Sequence, residues 1–342
     1  MKKIRVLLIV GLILSMVLIG CAKHDDNKSN AGNTDNTNTE AGDNTDNNKE
    51  SKEPENNKLL EKFINGEVSA LANDGIEGLT KDKAYTINEM AEAFASSEGE
   101  YYMPGILDKI QYGAIDAGGD GEAELALKFV YTNEDKNDFA EIMAVVKNFN
   151  GTLRVILRTD SYYRGYSDIL INGIVISGGS NSAFEHVTEY RYIDAAGNVN
   201  FIVSVDTALG LRACIIPAGY LPEVIDSTEF PTVPELCTEE DEENAYSLEM
   251  IKTAEYDWEN YDAMEYYEFS KKHMYFIFAD SKDEFKEADP EYAEYYKNKQ
   301  VNVVAPDKAG TFLESVFAQY GFDNTDTDYP VVEWKDIDAK EE

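Results

Sequence analysis

The chain is poor in the residues on which metal and disulfide scaffolds depend. It has 3 Cys and 3 His in 342 residues. So few cysteines exclude a disulfide-dense fold. His24, His186 and His273 lie far apart, and neither His-Glu-x-x-His nor paired Cys-x-x-Cys occurs, so a zinc enzyme has no support. Basic residues are scarce too: 30 Lys and Arg face 66 Asp and Glu, a net charge of −36. A phosphate backbone needs clustered Lys and Arg, so nucleic acid is not an expected partner. Charge-driven binding to anionic lipid is disfavoured for the same reason. There is no Gly-x-Ser-x-Gly elbow, and no glycine-rich loop opens a helix after a strand, which argues against a serine hydrolase and a nucleotide site. Hydrophobic residues at 43% and aromatics at 11% are nevertheless enough for a real core.

Lys2, Lys3 and Arg5 precede an uncharged run, residues 6–20. That run is shorter than the roughly 20 residues of a spanning helix and has the form of an export signal. Leu18-Ile19-Gly20-Cys21 resembles the bacterial lipobox. The resemblance implies a signal peptide over residues 1–20 and an acylated Cys21 as the new N-terminus. Acyl chains anchor at about 0.8 kcal/mol per buried CH₂, so the membrane is an expected partner through lipid. The expected location is the extracytoplasmic face of the bacterial cell membrane. Residues 22–57 contain no Phe, Tyr or Trp and no aliphatic side chain larger than alanine. With nothing to bury, residues 21–57 are expected to form a disordered tether spanning roughly 30–36 Å.

Residues 58–342 carry 23 basic and 57 acidic side chains and are read as one α+β globular part. A short helix is expected near residues 59–64. Thr86 with Glu89 forms a capping box ahead of Ile87, Met90, Ala91 and Phe94. From about residue 110 the pattern turns to strands. Asn150-Gly151 and Asn172-Gly173 separate apolar runs and mark hairpins, and residues 194–198 mark a third turn. Consecutive hairpins predict an antiparallel β-meander over about 110–216. Residues 238–342 read as mainly helical, with a strand at 273–278 and a capping box at Thr311 and Glu314 opening a helix closed by Gly321. The expectation is one sheet flanked by helices from the N- and C-terminal segments.

One loop reads as chemistry. Asp116-Ala-Gly-Gly-Asp120-Gly121-Glu122-Ala-Glu124-Leu125 connects two strands. Hard cations take six to eight oxygens, and carboxylates at loop positions 1, 5 and 9 converge when glycine at position 6 permits the turn. Asp116, Asp120 and Glu124, with the Glu122 carbonyl, are therefore candidate Ca²⁺ ligands. The missing side-chain ligand at Gly118 predicts a weak site, on the order of 10⁻⁴–10⁻³ M. The alternative is a plain acidic turn closed by Asp side chains on backbone N–H groups. Lipobox, polar tether, short helices and this loop together resemble a loose group of uncharacterised Gram-positive, clostridial-type surface lipoproteins. That group carries an Asp-x-Asp-Gly-Asp/Asn-Gly-x-x-Glu-Leu loop feeding a β-meander, and Gly118 stands where it has a second aspartate. The resemblance covers roughly residues 100–205, implies an envelope location and implies no activity.

Two further features stand beside plainer readings. Cys214 and Cys237 could form a disulfide if their Cα atoms lie within about 7 Å, or Cys214 could be a buried thiol. Tyr162, Tyr163 and Tyr166 cluster near Arg164, and Tyr256, Trp258, Tyr261, Tyr266 and Tyr267 cluster among acids. Such rings either stack on sugars or pack in the core with their hydroxyls wet. The expected function is a non-enzymatic binding or interaction module for a cell-wall or extracellular glycan or protein. The alternative is an extracellular carbohydrate-active enzyme, which would place two carboxylates across a cleft, or a solute- or glycan-capture protein. Replacing Cys21→Ala should move the protein from the membrane fraction to the soluble fraction on cell fractionation. Retention in the membrane would overturn the lipobox reading.

Overall fold

The computed structural model describes residues 53–96, 105–135, 139–162, 164–180, 185–212, 245–280, 302–322 and 330–337. Residues 1–20, Cys21 and most of the tether lie outside the described residues, as do Cys214 and Cys237. The fold is α+β, built on two seven-stranded sheets where the sequence pattern suggested one.

Sheet A comprises β1 (Ala70–Ala72), β2 (Ala84–Tyr85), β3 (Ile106–Ile115), β4 (Glu124–Thr132), β5 (Phe139–Phe149), β6 (Thr152–Tyr162) and a late strand, Lys335–Asp336, that pairs with β3. β3 to β6 form the expected antiparallel meander, and β1 joins β6 in parallel. Asn150 and Gly151 turn β5 into β6 with φ of 52° and 92°, as a two-residue hairpin of the I′ class requires. Period-two alternation puts Leu125, Leu127, Phe129 and Tyr131 on one face. There they meet α1 (Glu53–Ile64) through Leu60 and Phe63, and α2 (Ile87–Ala95) through Met90, Ala91 and Phe94. The Thr86 capping box is present in both directions, with Thr86 N–H donating to Glu89 Oε2 at 2.8 Å. Phe94 meets Phe129 edge-on at 5.3 Å, and the Tyr131 hydroxyl donates to the Ala91 carbonyl at 2.7 Å.

α1 begins inside the segment read as tether. Asn56 is buried and donates through Nδ2 to the Ala123 carbonyl at 3.0 Å. The tether reading therefore overreached by about one helical turn, because a polar residue can be buried when a backbone acceptor meets it.

Sheet B comprises β7 (Gly165–Ile169), β8 (Ile174–Ser180), β9 (Glu185–Ile193), β10 (Val199–Arg212), β11 (Ala245–Lys252), β12 (Met274–Asp280) and β13 (Asn302–Val303). β7 to β12 pair antiparallel in sequence order, and β13 joins β12 in parallel. The C-terminal third thus contributes strands to a sheet as well as helices. α3 (Ala263–His273) leads straight into β12. α4 (Ala309–Ala318) packs Val316 and Phe317 on Tyr190, Val203, Val205, Ile251 and Ile277. It starts two residues before Thr311, so the Thr311–Glu314 pattern falls inside the helix and caps nothing. Gly321, at φ 87°, lies just past its end.

A third cluster joins the sheets. Ala126, Met143, Val145, Ile156 and Leu157 of sheet A pack with Ile169, Val175 and Ile193 of sheet B. Among the described residues, sheet A therefore meets the β7–β9 end of one face of sheet B and the first residue of β10, Val199.

Glu249 interrupts the apolar α4 side of β11. It lies opposite Thr207 of β10 and Ile277 of β12. It is 5% exposed, and the Thr207 hydroxyl has no hydrogen-bond partner among the described residues. Burial pushes the Glu249 carboxyl from 4.5 up to about 7. The folded state therefore binds this proton more tightly than the unfolded chain does. The associated stability is complete below about pH 4.5 and is lost as pH rises through about 7, about 3 kcal/mol in all. Urea unfolding between pH 4.5 and 8 should show that loss, and Glu249→Gln should abolish it. An unchanged slope in the variant would assign the effect to another group.

Candidate functional site

The acidic loop folds around a cation supplied by the protein. Gly118 and Gly119 make a tight 3₁₀ turn at positive φ between β3 and β4. Glu124, the first residue of β4, is 1% exposed, and Lys147 of β5 is 5% exposed. Glu124 Oε1 pairs with the Lys147 ammonium, and Oε2 accepts the Ala117 N–H at 2.8 Å. Asp120 lies 3.7 Å from the same ammonium. Asp116 accepts the Gly121 N–H at 3.0 Å, Asp120 accepts the Glu122 N–H at 2.8 Å, and the Glu122 side chain is exposed. Burial opposes ionisation of both partners and pushes the Glu124 carboxyl up. At Lys147 burial would lower the proton affinity, but hydrogen bonding and attraction to Glu124, Asp120 and Glu122 overcome it and raise it.

Of the proposed calcium ligands, Asp120 and Glu124 face the Lys147 ammonium, and Asp116 turns to the Gly121 N–H. Asp116 and Asp120 close the turn through backbone N–H groups, and an ammonium sits where the sequence reading put calcium. Among the described residues no group of three or more His, Cys, Asp or Glu is placed to hold a metal ion.

The loop's glycines serve close packing. A Cβ on Gly118 would lie 2.2 Å from the Ala195 nitrogen, and one on Gly173 would lie 2.7 Å from Ala117 Cβ. The Asp116 N–H donates to the Ile171 carbonyl at 2.8 Å, and the Ile193 N–H donates to the Gly173 carbonyl at 3.0 Å. Three turns, at 116–121, 172–173 and 194–197, therefore interlock where the two sheets meet.

The aromatic residues divide. Tyr190 and Tyr192 are core, against Phe317, Tyr320 and Phe322 under α4. The Tyr166 hydroxyl bonds the Thr188 hydroxyl at 2.9 Å, whereas Tyr163 lies outside the described residues. The second cluster builds a cavity of about 230 Å³. It lies on the face of sheet B that sheet A touches, beyond the part that sheet A covers.

The floor of this cavity is a row of cross-strand neighbours. Glu189 of β9 pairs with Ser204 of β10, Ser204 with Lys252 of β11, and Lys252 with Met274 of β12. A register shift between Phe201 and Val203 turns Phe201 to the same side as Ser204. Arg191 binds both Glu189 and Glu255, and Lys252 binds Asp206 at 2.6 Å.

The roof is the excursion between β11 and β12. Its base is closed by the Thr253 N–H donating to the His273 carbonyl at 2.9 Å. Within it, the Tyr256 hydroxyl donates to the Asp262 carbonyl at 3.0 Å and accepts the Asp262 N–H at 3.1 Å. Tyr256 makes edge contacts with Trp258, Tyr261, Tyr266 and Phe269 at 4.9–6.2 Å. Trp258 and Tyr261 lie nearly parallel, at 12° and 6.0 Å, yet are 62% and 51% exposed. The Tyr267 side chain lies outside the described residues. His273 ends α3 with its ring on Phe269. The sequence marked the rings but not the floor, since four strands supply its residues with no local spacing.

No protein-family model matches the chain, and no curated protein or solved structure matches it. The site therefore rests on its own geometry.

Removing one member of the buried loop pair should leave an uncompensated charge. Lys147→Met should destabilise the fold by about 3–5 kcal/mol, and adding Glu124→Gln should recover part of that loss. Chemical denaturation of the two variants measures both. Additive losses in the double variant would show that the two side chains are not coupled.

Proposed function

We propose that this chain is a lipid-anchored, extracytoplasmic binding module of the bacterial envelope that captures a small solute in the aromatic cavity on sheet B. One observation carries the reading. Trp258 and Tyr261 remain half exposed beside a cavity although each has rings to pack against. Large aromatic rings held at the surface by a rigid roof are a common recognition surface, because they offer area at little entropic cost.

The cavity is smaller than the roughly 300–1,000 Å³ of pockets for drug-sized ligands. It suits one ring or one headgroup rather than a polymer segment. A binding role also fits its carboxylates better than hydrolysis does. Glu189 and Glu255 are held by Arg191, and Asp206 by Lys252. A glycosidase needs one carboxyl free to carry a proton and another free to attack or activate water.

The chain has two tryptophans, and Trp334 lies half-buried with the Lys128 ammonium 4.7 Å from its ring centre. In a Trp334→Phe variant of the full chain, fluorescence reports Trp258 alone. Titration with neutral monosaccharides, amino sugars and quaternary ammonium compounds should give a saturable change for at least one of them. No change with any solute at tens of millimolar would overturn the reading.

A further inference from the structure

We infer that the solute taken by the aromatic cavity is a methylated organic cation, a quaternary ammonium on a small carbon framework. This rests on the binding reading above and names its ligand. The wall is made of rings: Tyr256, Trp258, Tyr266 and Phe269 line the cavity. A cation within about 6 Å of a ring centroid is attracted to the negative face of the π system. Neighbouring centroids are 4.9–5.2 Å apart with the rings tilted or edge-on, so the rings pack on one another and a cation would meet the outward face of one of them beside the next.

Charge favours the same sign. Residues 253–270 contain six acidic side chains and no Lys or Arg. On the floor, Arg191 and Lys252 face Glu189, Glu255 and Asp206, which leaves one negative charge in excess. An anionic ligand would meet that excess and the surrounding acids, whereas a cation is drawn in.

Hydrogen bonding selects the kind of cation. A primary ammonium brings three N–H donors, and each needs an acceptor once out of water. Glu189 and Glu255, the carboxylates that line the cavity, each accept from Arg191 through Oε1, so their second oxygens are the carboxylate acceptors left for three such donors. A methylated ammonium has no N–H to satisfy, and its methyl groups pack on Phe201, Phe269 and Met274, which also line the space. A neutral sugar would place several hydroxyls against the same few acceptors.

Isothermal titration of the full chain in detergent tests this with choline, its neutral carbon isostere 3,3-dimethyl-1-butanol, glucosamine and glucose. Choline should bind about tenfold or more tighter than the isostere and tighter than glucosamine. Added salt should weaken it. Trp258→Leu should reduce choline affinity, and so should Glu255→Gln, which removes one of the two carboxylates that neutralise Arg191 beside the cavity. If glucose or the isostere binds and choline does not, and Trp258→Leu abolishes that binding, the ligand class is wrong and the binding reading stands. Glucosamine binding tighter than choline would likewise overturn the methylated cation alone. If no solute binds, or choline binds Trp258→Leu as well as the parent, the cavity is not a binding site and both readings fall.

Discussion

The joint between the two sheets is the constraint on which the rest of the structure depends. Sheet A meets sheet B over a small apolar patch, and beside that patch three turns approach to backbone distance. Such an approach requires glycine at 118 and 173, where a Cβ would collide, and it requires the turns to be rigid. Rigidity comes from inside the loop. Asp116 and Asp120 fold back on backbone N–H groups, and buried Glu124 ties the turn to Lys147 on the neighbouring strand β5. A buried pair of this kind costs desolvation and is weak evidence for net stability. Its value here lies in fixing geometry, because each Glu124 oxygen has one good partner. The segment most suggestive of an ion site is in this light the hinge pin of the architecture.

That placement leaves the other end of sheet B unencumbered. Sheet A covers the β7–β9 end, α4 covers the opposite face, and the exposed β9–β12 surface carries the row from Glu189 to Met274. The connection over this surface is held at its base by Thr253 and His273 and in its middle by Tyr256 and Asp262. An aromatic roof can therefore stand over polar strand residues without drawing on the joint.

Much of the local structure was legible and much of the assembly was not. Asn150-Gly151 and Asn172-Gly173 predicted their hairpins because the turn needs backbone conformations few other residues adopt. Thr86 and Glu89 predicted the start of α2 because the capping box is a contact within four residues. β11 was missed because buried Glu249 stands where alternation calls for an apolar residue. The start of α4 was misplaced because a capping pattern also occurs inside helices. The calcium reading of residues 116–124 followed from the carboxylates in the loop. Their cation is 23 residues further on, and no local spacing announces it. The division into two sheets depends on which strands pair at long range, which alternation alone does not encode.

The charge balance gains a structural meaning from these contacts. The folded part is short of cations, yet Lys147, Arg158, Arg191 and Lys252 are each engaged with carboxylates within or against the sheets. These four cations are neutralised locally, and acids outnumber bases in the rest of the folded part. A surface of that sign repels anionic polymers and concentrates small cations around the body. The aromatic roof lies in a stretch, 253 to 270, that contains six acids and no Lys or Arg of its own, with Glu255 and Glu268 paired to Arg191 and Lys271 outside it. Long-range field and short-range ring faces consequently favour the same ligand charge. The two cations that run the other way are held by carboxylates, Lys252 by Asp206 at 2.6 Å and Arg191 by Glu189 and Glu255.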